Sequence, residues 1–182
     1  WAKGRAMDDL RDLIRTIPDF PKPGILFRDV TTLLGHKTGF HKAISLLVAR
    51  YQASRVDKVA GIEARGFILG AAIAFGLGVG FVPLRKKGKL PGESVGADYA
   101  LEYGTDRIEM HVGAIERGER VLLVDDLIAT GGTAEAALKL LESAGATVVE
   151  TCFLVDLPDL KGADRIKKLG HNVFALVDFE GH

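Results

Sequence analysis

The chain has 182 residues, 47% hydrophobic and 26% charged, which suits one globular domain with a full core and excludes a disordered or fibrous protein. Its 24 basic residues balance 24 acidic ones, so no global field recruits nucleic acid or an anionic membrane. A single cysteine, Cys152, excludes an internal disulfide framework and fits a reducing, cytoplasmic compartment, and no apolar run reaches the roughly 18 residues of a membrane span.

Met7 is the expected natural start, which makes Trp1 to Ala6 an artificial extension, and the amino terminus WAKGRAMDDLRDLIRTI lacks the apolar stretch of a secretory signal. Leu10, Leu13, Ile14 and Ile17 recur at helical spacing and predict a short amphipathic helix over about 8–16. The segment IPDFPKPG then places three prolines and a glycine within eight residues, which suits neither a helix nor a central strand. A helix over 39–53 is predicted from Ile44, Leu47, Val48 and Tyr51. DKVAGI (57–62) reads as a strand that meets Glu63-Ala64-Arg65-Gly66, followed by a helix over 66–76 and the strand GVGFVPL. That is one βαβ unit.

Residues 85–110 have a different texture. Basic and glycine-proline punctuation gives way to short alternating runs, predicting an excursion from the parallel core made of a flexible loop and a hairpin. VLLV (121–124) is a continuous apolar run, as expected of a strand covered on both faces. It leads through Asp125, Asp126 and a glycine turn into a helix marked by Ala137, Leu138 and Leu141, and ATVVETCFLV closes the second unit. HNVFALVDF reads as the last strand. The fold class is therefore α/β, a twisted and mainly parallel sheet flanked by helices, in one domain over 1–182.

The junction after VLLV carries the chemistry. Backbone N–H groups of Ala129-Thr130-Gly131-Gly132-Thr133, entering a helix, form an anion cradle, and the two threonines add hydroxyls. Two carboxylates beside it would repel an isolated phosphate. They suit a sugar phosphate whose vicinal hydroxyls reach Asp125 and Asp126, and they can stabilise positive charge or hold Mg²⁺ through water. The plain alternative is a βα turn with a capping aspartate. Neither GxxxxGK[ST] nor a GxGxxG after the first strand is present, so the nucleoside-triphosphate loop and the dinucleotide fingerprint are excluded.

VLLVDDLIATGGT resembles the phosphoribosyl-pyrophosphate signature of type I phosphoribosyltransferases. DFPKPGILFRDVTTLL (19–34), GIEARGFILGAAIA (61–74) and RKKGKLPGESVGADYALEYGTD (85–106) are similar to the adenine-specific family among them, in order from about Asp8 to the carboxyl terminus. The resemblance implies a small hood over the carboxyl edge of the sheet and transfer of phosphoribosyl to adenine with Mg²⁺, giving AMP and pyrophosphate in purine salvage. It also implies a homodimer.

Residue by residue, the resemblance gives Asp125 and Asp126 the ribose hydroxyls, directly or through metal, and Ala129, Thr130, Gly131, Gly132 and Thr133 the 5′-phosphate. Arg65, Arg85, Lys86 and Lys89 are the implied pyrophosphate contacts, against the plain readings of a surface arginine and a solvated charge run. An unusual, cis peptide bond is implied near Ala64. Phe27 and Leu127 would cover the two faces of adenine, with backbone groups around Ile25, Phe27 and Arg28 on its Watson–Crick edge; a core role is the alternative for Phe27. Glu102 would orient the base or ribose, stabilise charge, or take the N9 proton, and Tyr103 would close a lid. Arg65, Asp125, Asp126 and Glu102 form the implied catalytic set.

Cys152 reads as a small core residue, Val30 and Leu34 as packing residues, and His36, His41, His111, His171 and His182 share no metal-ligand spacing. Two alternatives remain at this stage. One is a phosphoribosyltransferase for hypoxanthine or guanine. The other is a non-catalytic nucleotide sensor, although 182 neutral residues leave little room for an attached DNA-binding module.

Overall fold

The computed structural model describes residues 9–101 and 103–181. Its strands are β1 (Arg15–Pro18), β2 (Leu26–Asp29), β3 (Lys58–Ile62), β4 (Gly80–Lys86), β5 (Ser94–Ala100), β6 (Thr105–His111), β7 (Arg120–Ile128), β8 (Thr147–Asp156) and β9 (Val173–Asp178). The helices are α1 (Thr31–Leu34), α2 (Lys37–Tyr51), α3 (Arg65–Leu77), α4 (Gly132–Ser143) and α5 (Gly162–Lys168). Residues 1–6, expected to be an artificial extension, and Glu102 lie outside the described residues.

The main sheet has seven strands in the order β5-β6-β4-β3-β7-β8-β9. β4, β3, β7, β8 and β9 are parallel, and β5 and β6 join antiparallel at the β4 edge. The hairpin expected to leave the parallel core thus extends the same sheet: Arg85 and Lys86 pair with Glu109 and Ile108, lengthening β4 beyond the apolar run that marked it.

Two packed layers follow from strand alternation. Val59, Leu122, Cys152 and Leu154 point to a core shared with α2, α3 and the amino-terminal segment. Ala60, Leu123 and Phe153 point to a second core shared with α4, Ile166 and the β5–β6 hairpin. Cys152 is fully buried in the first, as read from sequence, and burial pushes its thiol up to about 12. Tyr51 docks α2 on β8, its hydroxyl donating to Glu150 at 2.7 Å, and Arg50 adds an ion pair to the same carboxylate at 2.9 Å.

The helix expected over 8–16 is corrected. Among the described residues of that span 9–12 are helical, and Arg15–Pro18 form a strand paired with Leu26–Asp29. Leu10 and Ile14 are buried, so the apolar spacing reported the right face, but Arg15 is held in β1 by its ion pair with Asp29 at 2.6 Å. This small two-stranded sheet meets the carboxyl edge of the main sheet where Arg28 donates to the Glu180 carbonyl at 3.1 Å.

One close approach sets the geometry of that edge. A Cβ on Gly61 would lie 2.7 Å from the Gly66 carbonyl oxygen and 2.7 Å from the Phe81 ring, so β3 and α3 touch backbone to backbone. Gly61→Ala is expected to destabilise the protein by about 1–3 kcal/mol, a fall of several degrees in Tm by calorimetry. An unchanged Tm would mean that the helix can retreat without loss.

Candidate active site

β7 continues farther than its apolar run. Asp125, Leu127 and Ile128 remain in register with Phe153, Val155 and Asp156 of β8, so both aspartates belong to the strand and the predicted polar loop shrinks to 129–131. The ladder holds them because β8 itself continues to Asp156. Their carboxyls are not equivalent. Asp126 is 6% exposed and accepts from Arg65 Nε at 2.5 Å. Asp125 accepts from the Asp126 backbone N–H at 2.8 Å and lines a cavity with residues 127–134 and Phe153. Burial, and then the neighbouring Asp126 charge, push Asp125 well above the usual carboxylate range.

The cavity measures about 130 Å³ and its wall contains all five cradle residues, Ala129, Thr130, Gly131, Gly132 and Thr133. Gly131 has φ +87°, a left-handed conformation that glycine adopts without strain, and α4 starts at Gly132. The first turn of α4 leaves N–H groups without intrahelical acceptors at the cavity wall.

Arg65 opens α3 beside this pair, and the Glu63–Ala64 peptide is cis, as the resemblance implied. Gly66 lets the helix close on β7: a Cβ there would lie 3.0 Å from both Asp125 Oδ1 and the Val124 carbonyl oxygen. With Nε on Asp126, the rest of the Arg65 guanidinium is the part available to an anion, and the side chain is 47% exposed.

The basic run is more ordered than a solvated loop. Arg85 donates to Glu63 at 2.9 Å and to the Lys89 carbonyl at 3.3 Å, and Lys86 pairs with Asp106 at 3.8 Å. Arg85, the Lys86 N–H and the Lys89 backbone are thereby gathered at Glu63, just past the end of β3. Sequence reasoning missed Glu63 as their anchor. It also missed Tyr99, whose hydroxyl donates to Asp106 at 3.1 Å and which lines a small cavity with Gly132 at the start of α4. Tyr99 and Asp106 face each other across the β5–β6 ladder, a relation readable once the hairpin turn is located.

The base-binding candidates are less closely assembled. Phe27 sits on β2 with its ring edge-on to Phe20 at 5.2 Å, while Leu127 lines the cradle cavity and packs on the first core. Ile25 directs its N–H to Lys22 and its carbonyl to Phe20 N–H, both within the proline-rich turn. The Arg28 side chain is held by Thr16 and Glu180 and stacks 4.7 Å from the Phe179 ring. Tyr103 is 86% exposed. Among the described residues no group of three or more His, Cys, Asp or Glu side chains forms a metal cluster.

A family profile described as the phosphoribosyl transferase domain matches residues 29–179. The adenine phosphoribosyltransferase of Bradyrhizobium sp. strain BTAi1 is 63% identical over 174 residues, covering 96% of this chain and 97% of that protein. The chain belongs to the adenine phosphoribosyltransferase family. Among solved structures, the adenine phosphoribosyltransferase of Rhodothermus marinus is similar at 50% identity with a TM-score of 0.90, over 97% of this chain and 99% of that one. The Saccharomyces cerevisiae member was crystallised with adenine and an imino-altritol bisphosphate; it is 40% identical over 95% of this chain and 99% of its own, with a TM-score of 0.89.

An acid whose pKa rises on folding loses stability as pH climbs past its unfolded value of about 3.9. Asp125→Asn removes that cost while its amide oxygen can still accept from Asp126. The variant is expected to melt above wild type by about 2–4 °C near neutral pH, with the gap closing below about pH 4, while turnover falls on the order of 100-fold. A Tm difference independent of pH would contradict the burial argument.

Proposed function

We propose that this chain transfers phosphoribosyl from phosphoribosyl pyrophosphate to adenine, yielding AMP and pyrophosphate. The observation that carries the reading is the continuity of Asp125, Asp126 and the glycine cradle at one carboxyl edge, with Arg65 and the Arg85 run beside them. The family membership names adenine as the base.

In this reaction the bond from ribose C1′ to the pyrophosphate oxygen breaks and its electron pair leaves with pyrophosphate. Adenine N9 bonds to C1′ and gives up its proton. The enzyme's task is to hold both ends of the donor, stabilise positive charge at C1′ and exclude water. The cradle 129–133 takes the 5′-phosphate through backbone N–H groups. Asp125 and Asp126 take the ribose hydroxyls and offset charge at C1′. Arg65, Arg85, Lys86 and Lys89 take the pyrophosphate. Phe27 and Leu127 enclose adenine, which requires the β1–β2 sheet and the cradle to approach one another, and backbone groups near Ile25, Phe27 and Arg28 read its edge. Tyr103, an exposed side chain on the hairpin turn, closes over the site. The orienting or proton-accepting role stays with Glu102.

Mg²⁺ fits this donor set as an ion carried by the substrate. It commonly keeps water and takes one or two carboxylates besides phosphate oxygens, and Asp125 is the protein group proposed to contact it. Its chemistry is to neutralise charge on the departing pyrophosphate.

A homodimer is part of the proposal. Phe40, Ile44, Val48, Ala72 and Phe75 line an apolar groove between α2 and α3, with Phe75 90% exposed, and a second copy would cover that face. Among the described residues no helix is long and apolar enough to cross a membrane, and a cytoplasmic location is a further part of the proposal.

The direct test is pyrophosphate release with Mg²⁺, donor and each of adenine, hypoxanthine, guanine and xanthine. Release with adenine alone, accompanied by AMP, is expected; release with another base would overturn the reading of Phe27 and its segment. Arg65→Ala is expected to raise the donor KM by more than about tenfold, roughly the loss of one charge-assisted hydrogen bond, with little change in the adenine KM. Steady-state kinetics with each substrate varied in turn would check this, and an unchanged donor KM would remove Arg65 from the pyrophosphate site.

A further inference from the structure

We infer that Gly162 and Arg165, on a segment well downstream of the signature, are positioning residues that hold the 5′-phosphate cradle from behind. The inference rests on the reading of 129–133 as a phosphate site and adds two residues to it.

α5 begins against the back of the cradle. The Gly162 N–H donates to the Ala129 carbonyl at 3.1 Å. Arg165 bridges two parts of the site: Nε donates to Glu135 in the first turn of α4 at 2.5 Å, and Nη1 donates to the Thr130 carbonyl at 3.5 Å. Gly131 completes the contact, since a Cβ there would lie 3.0 Å from the Gly162 carbonyl oxygen.

Gly162 is required for space. Its φ lies outside the left-handed region, so its backbone conformation is open to other residues. A side chain is excluded because a Cβ would overlap the Ala129 carbonyl oxygen and come within 2.9 Å of Gly131 N and Ile128 Cγ1. Lys161, immediately before, takes the left-handed turn at φ 59° that brings Gly162 to the cradle.

The carbonyl contacts have a consequence on the other side. In a trans peptide the C=O and N–H point in opposite directions. Drawing the Ala129 and Thr130 carbonyls toward α5 turns the N–H groups of Thr130 and Gly131 away from it. A cradle whose donors are already oriented binds an anion without first ordering its backbone. Gly162 and Arg165 therefore act through 129–131, and their loss should appear in donor binding before it appears in chemistry.

The experiment compares wild type with Gly162→Ala, Arg165→Ala, Arg165→Lys and Lys168→Ala, measuring donor and adenine KM, kcat and calorimetric affinity for ribose 5-phosphate. Lys168→Ala removes a charge from the same helix without touching the cradle. Gly162→Ala and Arg165→Ala are expected to weaken donor KM and ribose 5-phosphate affinity at least about tenfold, with adenine KM within about twofold. Arg165→Lys should recover only part, because ammonium lacks the planar fork that reaches two acceptors, and Lys168→Ala should match wild type. Arg165→Ala keeps the test decisive should Gly162→Ala not fold, since the Arg165 side chain is 49% exposed. Equal loss for both substrates, full recovery by lysine, or an equal effect of Lys168→Ala would overturn the inference. Failure of wild type to bind ribose 5-phosphate would instead overturn the phosphate reading itself.

Discussion

Two adjacent carboxylates at the end of a strand buried on both faces are the constraint around which the rest is arranged. Removing a carboxylate from water is costly, and two in sequence add mutual repulsion. The structure relieves the two unequally. Asp126 receives Arg65, a charge-assisted hydrogen bond from the first residue of α3. Asp125 receives a single backbone N–H and remains pushed toward its neutral form. The close approach of α3 at Gly61 and Gly66 places the arginine there, so two glycines far from the signature are part of its electrostatics. A polar or cationic ligand beside Asp125 would relieve the remaining cost. The site therefore favours hydroxyls and metal-bound water over an apolar occupant.

What the sequence made legible was local. The continuous apolar run VLLV of β7 marked a strand covered on both faces because no polar residue interrupts it, the alternation of strand and helix around it marked a parallel sheet, and the glycines after Asp126 announced the turn into α4 within a few residues of its start. What remained hidden depended on partners distant in the chain. Arg15 to Ile17 continue a helical spacing, yet pairing with Leu26–Asp29 and the Arg15–Asp29 ion pair turn them into a strand. Arg85 and Lys86 read as a charged loop because their strand partners lie on β6 and their anchor, Glu63, on the end of β3. Asp125 and Asp126 read as loop residues because aspartate is a poor strand former, and only the length of β8 keeps them in the ladder. The Gly162 contact has no periodic signal at all, since it is a matter of space between two backbones.

The division of labour proposed for the donor follows from these supports. At the 5′ end the proposed ligands are backbone dipoles, with the hairpin packed on α4 on one side and α5 bonded through Gly162 and Arg165 on the other. At the pyrophosphate end the proposed ligands are side chains, Arg65 and Arg85, each already bonded to a carboxylate, Asp126 and Glu63. The difference suits the chemistry. The 5′-phosphate stays on the sugar from substrate to product, so a fixed site that changes little serves it throughout. Pyrophosphate gains charge and then departs, and side chains with an alternative acidic partner can turn to it and return. Preorganisation is thus greatest where the ligand does not change, and adjustable cations stand where charge develops.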